Sequence, residues 1–492
     1  MTGVPAAAGE TVLGSPAPRR RYAVALMPSE APLADAVDRF LADPGTTFTV
    51  PGHKRASELA SPLLLHDLPL VSGADDSRMG GDVLGRAERL AARLWGGDLC
   101  RFSVAGSTHG NQALALAAAR PGDRVLVART LHKSLFGGLV LAGLDPVWVS
   151  PSVDPETGLA TGVPADAVGR ALADEPGIRA VFLVEPSYVG MLSDLEAIAQ
   201  LAHDAGVPLI VDQAWGAHLG FHPALPRHAI ARGADAMVTS THKNLTAFTQ
   251  GSIVVARAGL LDLARVDEAF EVLHTTSPAA AILASSDRAR QLMEDRGPEL
   301  LERTIELVAG ARERLRRIDG LHVSEASDPT KLVLGLAGTG ADGFQVEADL
   351  LGDGVRLEMA DRDTLVPIVT IADTAATVDT LVGSIERSLA ARRSAPRPVA
   401  ASSVWSLQVT TALSPRDAFF APRERIPAEQ AVGRIAAETA APYPPGIPAI
   451  APGEVITDDI LGALRREAAA GTRVAYCSDP TLETLLVVAE LV

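Results

Sequence analysis

Short apolar runs alternate with amphipathic stretches through the first half of the chain. Amphipathic stretches such as 165–173 and 194–205 have the spacing of surface helices. The apolar runs are rich in β-branched residues, which is typical of strands buried on both faces. These runs lie at 124–128, 147–149, 180–184, 208–211, 236–239 and 253–255. The pattern predicts an α/β fold with a mostly parallel central sheet, and functional residues are expected in the loops after Val211 and Thr239.

The second half of the chain has the pattern of smaller units. An amphipathic helix is predicted at 299–317, a strand at 332–336 and another helix at 375–393. The polar, proline-bearing stretch 392–398 is typical of a linker. We therefore predict a disordered tail at 1–30, a large domain at 31–299, a small α/β domain at 300–393 and a C-terminal domain at 394–492.

Charge and hydropathy narrow the class of function. The chain has 492 residues, 47% of them hydrophobic, and a formal net charge of −16. Such a charge does not favour nucleic-acid binding, and no apolar run is long enough to predict a membrane span. The basic residues 19–21 and the apolar run after them resemble a signal peptide only weakly, because Pro28 and Glu30 shorten that run. We predict a cytoplasmic enzyme that acts on a small molecule.

Cysteine and histidine spacing indicates no metal or disulfide site. Cys100 and Cys477 are too few for a disulfide framework and are not spaced as zinc ligands. His218 and His222 stand four residues apart, as metal ligands on a helix do, but nearby glycines and Pro223 do not favour a helix there. We predict that the chain holds no metal.

Lysine is scarce, and its positions are informative. Of 44 basic side chains only four are lysine, namely Lys54, Lys133, Lys243 and Lys331. A compositional bias toward arginine accounts for the scarcity, yet three of the four directly follow a histidine in a polar loop. A position that keeps lysine under such a bias is a candidate for an amine that must lose its proton, which a guanidinium cannot do.

Asp212 and Lys243 each follow a predicted strand. A carboxylate and a lysine at neighbouring strand ends suit a Schiff-base site for pyridoxal phosphate, a cofactor that also needs donors around its phosphate. Ser240 and Thr241 beside the lysine, and the small residues 106–108 before a predicted helix, supply such donors. Each feature alone is more often a helix cap or a turn, so the indication comes from their combination.

Six segments carry a family resemblance. They are TVPGHK (49–54), GSTHGN (106–111), HKS (132–134), DQAWGAH (212–218), STHK (240–243) and PYPPGIP (442–448). In sequence, order and spacing they resemble the ornithine/lysine/arginine decarboxylase family. The resemblance implies the aspartate-aminotransferase fold with smaller α+β C-terminal regions, pyridoxal 5′-phosphate as cofactor, and decarboxylation of arginine, lysine or ornithine to an amine and carbon dioxide. It also implies a place in polyamine biosynthesis and a homo-oligomer that is at least a dimer.

The resemblance assigns roles to individual residues. Lys243 would bind the cofactor, Asp212 would pair with its pyridine nitrogen, and His132 would stack on its ring. Thr276 belongs to a segment, 274–278, that would reach the phosphate of the neighbouring subunit's cofactor. The implied catalytic residues are Lys243, His242, Asp212 and His132. The implied cofactor-binding residues are Lys243, Asp212, His132, Ser107, Thr108, Ser240, Ala214 and Thr276.

Substrate recognition follows less directly from the resemblance. Short family members commonly have Glu and His at the positions of Gln213 and Trp215, and Tyr at that of Val189, although Trp215 resembles the longer members. We predict that Trp215 and Glu438 bind the substrate. Glu438 is placed on a predicted helix, 433–438, from which its carboxylate would read the distal cation of the substrate. The alternative is a solvent-exposed glutamate at a helix end.

Two other functions stay open. An aminotransferase or oxidative deaminase of a basic amino acid would use the same fold, with Arg356 or Arg362 as a clamp for the α-carboxylate. A catalytically silent relative would bind a polyamine or a partner protein instead, but the presence of both Lys243 and Asp212 argues against it. An amine-product assay on a panel of amino acids distinguishes the three.

Overall fold

The computed structural model describes most of the chain. The described residues are 29–42, 50–51, 53–54, 64, 66–68, 82–154, 157–398, 407, 409–443 and 446–490. The predicted disordered tail, apart from its last two residues, lies outside them. Parts of the segments 49–54 and 442–448 also lie outside them.

Helices cover a central sheet and build the smaller units after it. The helices up to residue 315 are α1 (Pro32–Ala42), α2 (Val83–Leu94), α3 (Gly106–Ala118), α4 (Lys133–Ala142), α5 (Ala165–Asp174), α6 (Leu195–Asp204), α7 (Leu263–Leu273) and α8 (Ala280–Leu315). Those that follow are α9 (Gly343–Gly352), α10 (Ala375–Arg392), α11 (Pro415–Phe420) and α12 (Asp458–Ala469). Within the described ranges, no helix has an apolar stretch that could cross a bilayer.

The central sheet has seven strands. They are β1 (Leu99–Ser103), β2 (Arg124–Ala128), β3 (Asp145–Val149), β4 (Ile178–Val184), β5 (Leu209–Asp212), β6 (Ala236–Ser240) and β7 (Ser252–Ala256). Their order is β1-β7-β6-β5-β4-β2-β3. Strands β2 to β6 run parallel, whereas β7 is antiparallel to both of its neighbours. The predicted mostly parallel α/β sheet is confirmed.

Both faces of this sheet are buried, which is why its strands are apolar throughout. Phe182 and Leu183, neighbours on β4, belong to different core clusters because successive strand residues point to opposite faces. One cluster includes Leu114 of α3, and the other includes Ile198 of α6. Strands β5 and β6 are adjacent and parallel, so the residues after them meet at one edge of the sheet.

The predicted helix at 299–317 is the second half of a longer one. Helix α8 continues for 36 residues and contains Pro298. The predicted boundary between the large and small domains, at 299/300, therefore falls inside a single helix. A proline favours a helix start rather than a helix interior, which explains why the predicted helix begins at 299 and the observed one at 280.

Two smaller units follow α8. In the first, β8 (His322–Val323), β9 (Leu334–Gly335), β10 (Met359–Ala360) and β11 (Thr364–Val366) form an antiparallel sheet of order β10-β11-β9-β8. In the second, β12 (Arg423–Pro427) pairs with β15 (Thr484–Val488), and β13 (Ala441–Tyr443) pairs with β14 (Arg473–Ala475). The helix predicted at 433–438 does not form, because Gly433 has a φ of 84° and Ile435 and Ala436 make β-bridges instead.

A buried ion pair joins the C-terminal unit to the large domain. Arg129, just after β2, binds both carboxylate oxygens of Glu454, with 2.9 Å between Nη2 and Oε2. Its Nη2 also donates to the carbonyl of Ala449 at 3.1 Å. The pair therefore fixes Ala449 and Glu454 beside the carboxyl end of β2.

Candidate active site

A cavity of about 410 Å³ lies at the carboxyl ends of β5 and β6. All three units contribute to its walls, including Met359 from the small unit and Ile447 from the C-terminal unit. It brings together nine residues predicted from the sequence: Ser107, Thr108, His132, Asp212, Ala214, Trp215, Ser240, His242 and Lys243.

Lys243 extends into this cavity from the turn after β6. Its Nζ lies 4.2 Å from the centroid of the Trp215 ring. Burial lowers the pKa of Lys243, and the nearby carboxylate of Asp212 acts against that shift. A desolvated lysine amine with a lowered pKa loses its proton readily and becomes a nucleophile, as bonding to an aldehyde requires.

Asp212 is buried at the end of β5, and both of its carboxylate oxygens accept hydrogen bonds. Asn111 Nδ2, on α3, donates to Oδ2 at 2.6 Å, and the backbone N–H of Ala214 donates to Oδ1 at 3.0 Å. A carboxylate held at both oxygens has a fixed direction, which suits a group that must meet a ring nitrogen.

The same asparagine orients His132. Asn111 Nδ2 donates its second hydrogen to Ser134 Oγ at 2.9 Å, so the hydroxyl of Ser134 is free to donate to His132 Nδ1 at 2.8 Å. The proton of the imidazole is then on Nε2. Desolvation of the ring lowers the pKa of His132. The carboxylate of Asp212 opposes this shift, and the charges of Lys243 and Lys133 add to it. The ring is therefore neutral and fixed beside the cavity.

A cluster of donors lies where α3 begins. Ala105 precedes the helix without a side-chain cap, so the first-turn N–H groups at Ser107 and Thr108 are free to bind an anion. Ser107 Oγ lies 2.7 Å from Ser240 Oγ, which brings the hydroxyls of α3 and β6 together. Hydroxyls and free N–H groups in this arrangement suit a phosphate.

His242 also lines the cavity. Its Nδ1 donates to the carbonyl of Gly251 at 2.8 Å, and burial lowers its pKa. The neutral ring therefore leaves Nε2 as the atom that can accept or pass on a proton.

These residues fit pyridoxal phosphate. A lysine with a lowered pKa, a fixed buried carboxylate and a helix N-terminus with hydroxyls all face one cavity. Among the described residues there is no cluster of His, Cys, Asp and Glu arranged to hold a metal. The two histidines that stand four residues apart each contact a carboxylate: His218 Nε2 lies within hydrogen-bond distance of Asp328, and His222 Nε2 of Glu302.

Two predicted site residues lie outside the cavity. Thr276 is exposed between α7 and α8, so its role toward a neighbouring subunit stays a prediction. Glu438 is 9% exposed, and its carboxylate accepts the backbone N–H groups of Ser478 and Leu486 at 2.6 and 2.7 Å. Glu438 thus holds two backbone segments together and does not line the cavity, contrary to the prediction that it reads the substrate.

The structure adds residues that the sequence did not identify. Tyr188 packs edge-on against Trp215, 5.1 Å between ring centroids, and its hydroxyl donates to Glu358. Lys331 is buried with its Nζ 4.8 Å from the Trp215 centroid, and this amine has no hydrogen-bond partner within the described part of the chain. The scarcity of lysine was a signal for Lys331. Asn111 could also have been found from the sequence, since it lies four residues after Ser107 and therefore on the same helix face.

Comparisons with known proteins agree with this geometry. The family model of the Orn/Lys/Arg decarboxylase major domain matches residues 31–334, and that of the C-terminal domain matches residues 400–468. The arginine decarboxylase of Halalkalibacterium halodurans is 34% identical over 463 residues, covering 90% of this chain and 94% of that protein. The arginine decarboxylase of Bacillus subtilis is 33% identical over 483 residues, covering 94% and 98%.

The fold has close counterparts among solved structures. The lysine decarboxylase of Francisella novicida has a TM-score of 0.78 with 19% identity, covering 93% of this chain and 80% of that one. The fold and the relatives agree over 90% or more of the chain, and the family models agree with them over residues 31–334 and 400–468. The protein is therefore an enzyme of the ornithine/lysine/arginine decarboxylase family, a family of pyridoxal-phosphate-dependent lyases.

Proposed function

We propose that this enzyme removes the α-carboxylate of a basic L-amino acid, with arginine the first candidate, and releases the amine and carbon dioxide. The observation that carries the proposal is the cavity that gathers Lys243, Asp212 and His132. Arginine comes first because relatives that match this chain over most of their length are named arginine decarboxylases. Lysine and ornithine are the other candidates.

Each residue of the cavity has a part in this chemistry. Lys243 would bind the aldehyde of pyridoxal phosphate through Nζ, and Asp212 would hold a proton at its ring nitrogen. When bound, the cofactor supplies a ring that accepts the electron pair left by the departing carbon dioxide. The neutral imidazole of His132 would cover the ring and exclude water. Lys243 Nζ would deliver the proton that replaces the carboxylate. His242 Nε2 could do so only after it has accepted a proton itself, because the proton of its neutral ring is on Nδ1.

The enzyme is further proposed to act as a homodimer with shared sites, in the cytoplasm, in polyamine biosynthesis. The dimer is supported by the segment 274–278, where Thr275, Thr276 and Ser277 are exposed and do not line the cavity of their own chain. The location and the metabolic role rest on the family resemblance.

The test is a product assay with the purified, cofactor-loaded enzyme. Arginine, lysine and ornithine are supplied singly, and carbon dioxide and the amine product are measured together. Decarboxylation gives both in equal amounts. Transamination gives a keto acid and no carbon dioxide, oxidative deamination consumes oxygen, and a silent relative binds amines without turnover.

Two lysine variants make the assay specific. Lys243→Ala should lose both the visible absorbance of the bound cofactor and all turnover. Lys133→Ala is the matched control, because Lys133 is exposed and its amine packs on Tyr476 rather than in the cavity. Wild-type enzyme that releases no carbon dioxide from any of the three amino acids would overturn the proposal.

A further inference from the structure

We propose that Glu358, held by Tyr188 at the rim of the cavity, recognises the distal cation of the substrate. This inference rests on the proposed function, because it identifies the part of the same site that separates basic from neutral amino acids.

The contact that carries the inference is between the small unit and the cavity wall. Tyr188 and Trp215 form one wall of the cavity as an edge-to-face pair. The Tyr188 hydroxyl donates to Glu358 Oε1 at 3.1 Å. Glu358 does not line the cavity itself. Its neighbour Met359 and its hydrogen-bond partner Tyr188 both do, and the contact with the Tyr188 hydroxyl places the carboxylate beside the cavity wall.

Glu358 is the acidic side chain at the cavity with a carboxylate oxygen available to bind a cation. Asp212 is the acidic residue among those that line the cavity, and both of its oxygens already accept hydrogen bonds. Glu358 uses Oε1 for Tyr188, while Oε2 has no hydrogen-bond partner among the described residues. Oε2 can therefore accept from an ammonium or a guanidinium.

The charge of Glu358 acts on groups inside the cavity. Burial raises the pKa of the Tyr188 hydroxyl, and the Glu358 carboxylate raises it further. The same carboxylate opposes the lowering of the Lys243 pKa that burial causes. A substrate cation bound between Lys243 and the rim would be attracted by the negative charge of Glu358.

The rings of Trp215 and Tyr188 connect Lys243 to Glu358, because Lys243 Nζ lies 4.2 Å from the Trp215 centroid and the Tyr188 hydroxyl donates to Glu358. An amino acid whose α-amine lies at Lys243 would lay its methylene groups along the Tyr188 and Trp215 rings and reach the rim with its cation. The buried amine of Lys331, 4.8 Å from the Trp215 centroid, disfavours a second cation deeper in that wall. The rim, where Glu358 is solvent-exposed, is thus the favourable end.

The test compares substrates that differ only in charge. The variants are Glu358→Gln, which keeps an acceptor for Tyr188 and removes the charge, and Tyr188→Phe, which removes the tether. Each is assayed with arginine and with citrulline, its neutral isostere, and for inhibition by agmatine, the amine formed from arginine. Glu306→Gln, an exposed glutamate of α8 that does not line the cavity, is the matched control.

Glu358→Gln is expected to lower kcat/KM for arginine about tenfold, mainly through KM, and to weaken agmatine inhibition to a similar degree. Tyr188→Phe should have a smaller effect in the same direction. The ratio of kcat/KM for arginine to that for citrulline should fall in both variants, cofactor absorbance should be kept in Glu358→Gln, and no value should change in the control.

Two results would overturn the inference. One is arginine KM and agmatine inhibition within about twofold of wild type in Glu358→Gln. The other is a selective loss in Glu438→Gln instead. Both leave the proposed function intact, since they require a wild-type enzyme that decarboxylates arginine. Failure of that wild-type reaction is the separate result that overturns the proposed function.

Discussion

Asn111 donates a hydrogen bond to Asp212 at 2.6 Å, and this contact links the two sides of the cavity. The other hydrogen of the same amide fixes Ser134, which orients His132. The carboxylate at the end of β5 and the imidazole before α4 therefore take their positions from one side chain on α3. Neither can be moved without disturbing the other.

Substituting Asn111 tests this link. Asn111→Ala should lower kcat about tenfold, because a hydrogen bond to a charged group is worth about 1.5–3 kcal/mol and Asp212 loses its fixed direction. Asn111→Asp should lower it more, since a second carboxylate repels that of Asp212. Kinetics with saturating cofactor measure both, with Gln112→Ala on the same helix as control. An unaltered kcat in Asn111→Asp would contradict the prediction.

Lys331 should cost the protein stability. Burial lowers its pKa in the folded state, so the unfolded chain binds its proton more tightly. The contribution of this group to the free energy of unfolding therefore rises as the pH increases toward 10.5, the ordinary pKa of lysine. Lys331→Met removes the charge. The side chain of Lys331 passes so close to Gly190 that a Cβ added at Gly190 would lie 2.4 Å from Lys331 Cγ, and the unbranched methionine fits the same narrow space.

We expect Lys331→Met to be at least as stable as wild type at neutral pH and to gain less stability on raising the pH. Urea denaturation at a series of pH values measures this, with the exposed Lys133→Met as control. A loss of more than about 1 kcal/mol at neutral pH would show that the amine has a favourable partner.

The buried pair of Arg129 and Glu454 should couple the C-terminal unit to the rest of the chain. Glu454→Ala leaves a buried guanidinium without its partner, which costs about 3–5 kcal/mol. The double variant Arg129→Met with Glu454→Leu should lose much less, because no unpaired charge remains. Denaturant unfolding compares the two, and equal losses in both would refute the explanation.

Shared active sites can be tested by complementation. A Lys243→Ala chain still offers its segment 274–278 to a partner, and a Thr276→Tyr chain still offers its Lys243. Each variant alone should be impaired, whereas co-expression should restore activity through mixed dimers. An active monomer in light scattering would exclude this arrangement.

The strands and the loops that carry Asp212 and Lys243 could be predicted because both depend on local pattern. Buried parallel strands are apolar along their whole length, and the residues after them are then easy to locate. The scarcity of lysine marked Lys331 but not its place in the site. Glu358 and Lys331 reach Tyr188 and Trp215 from a separate unit, and no local pattern encodes that contact. Glu438 was misassigned because an acidic residue before a rigid loop gives no indication of which backbone groups it will bind.

Because helix α8 continues through residue 299, cutting the chain there would not separate the large and small units cleanly. A fragment ending there would keep half of the helix and expose the surfaces that Leu300, Leu301 and Thr304 now bury. Separate expression of the two units should therefore give insoluble fragments rather than folded domains. Any movement of Glu358 relative to Lys243 must bend a continuous rod, for which Pro298 is the weakest point.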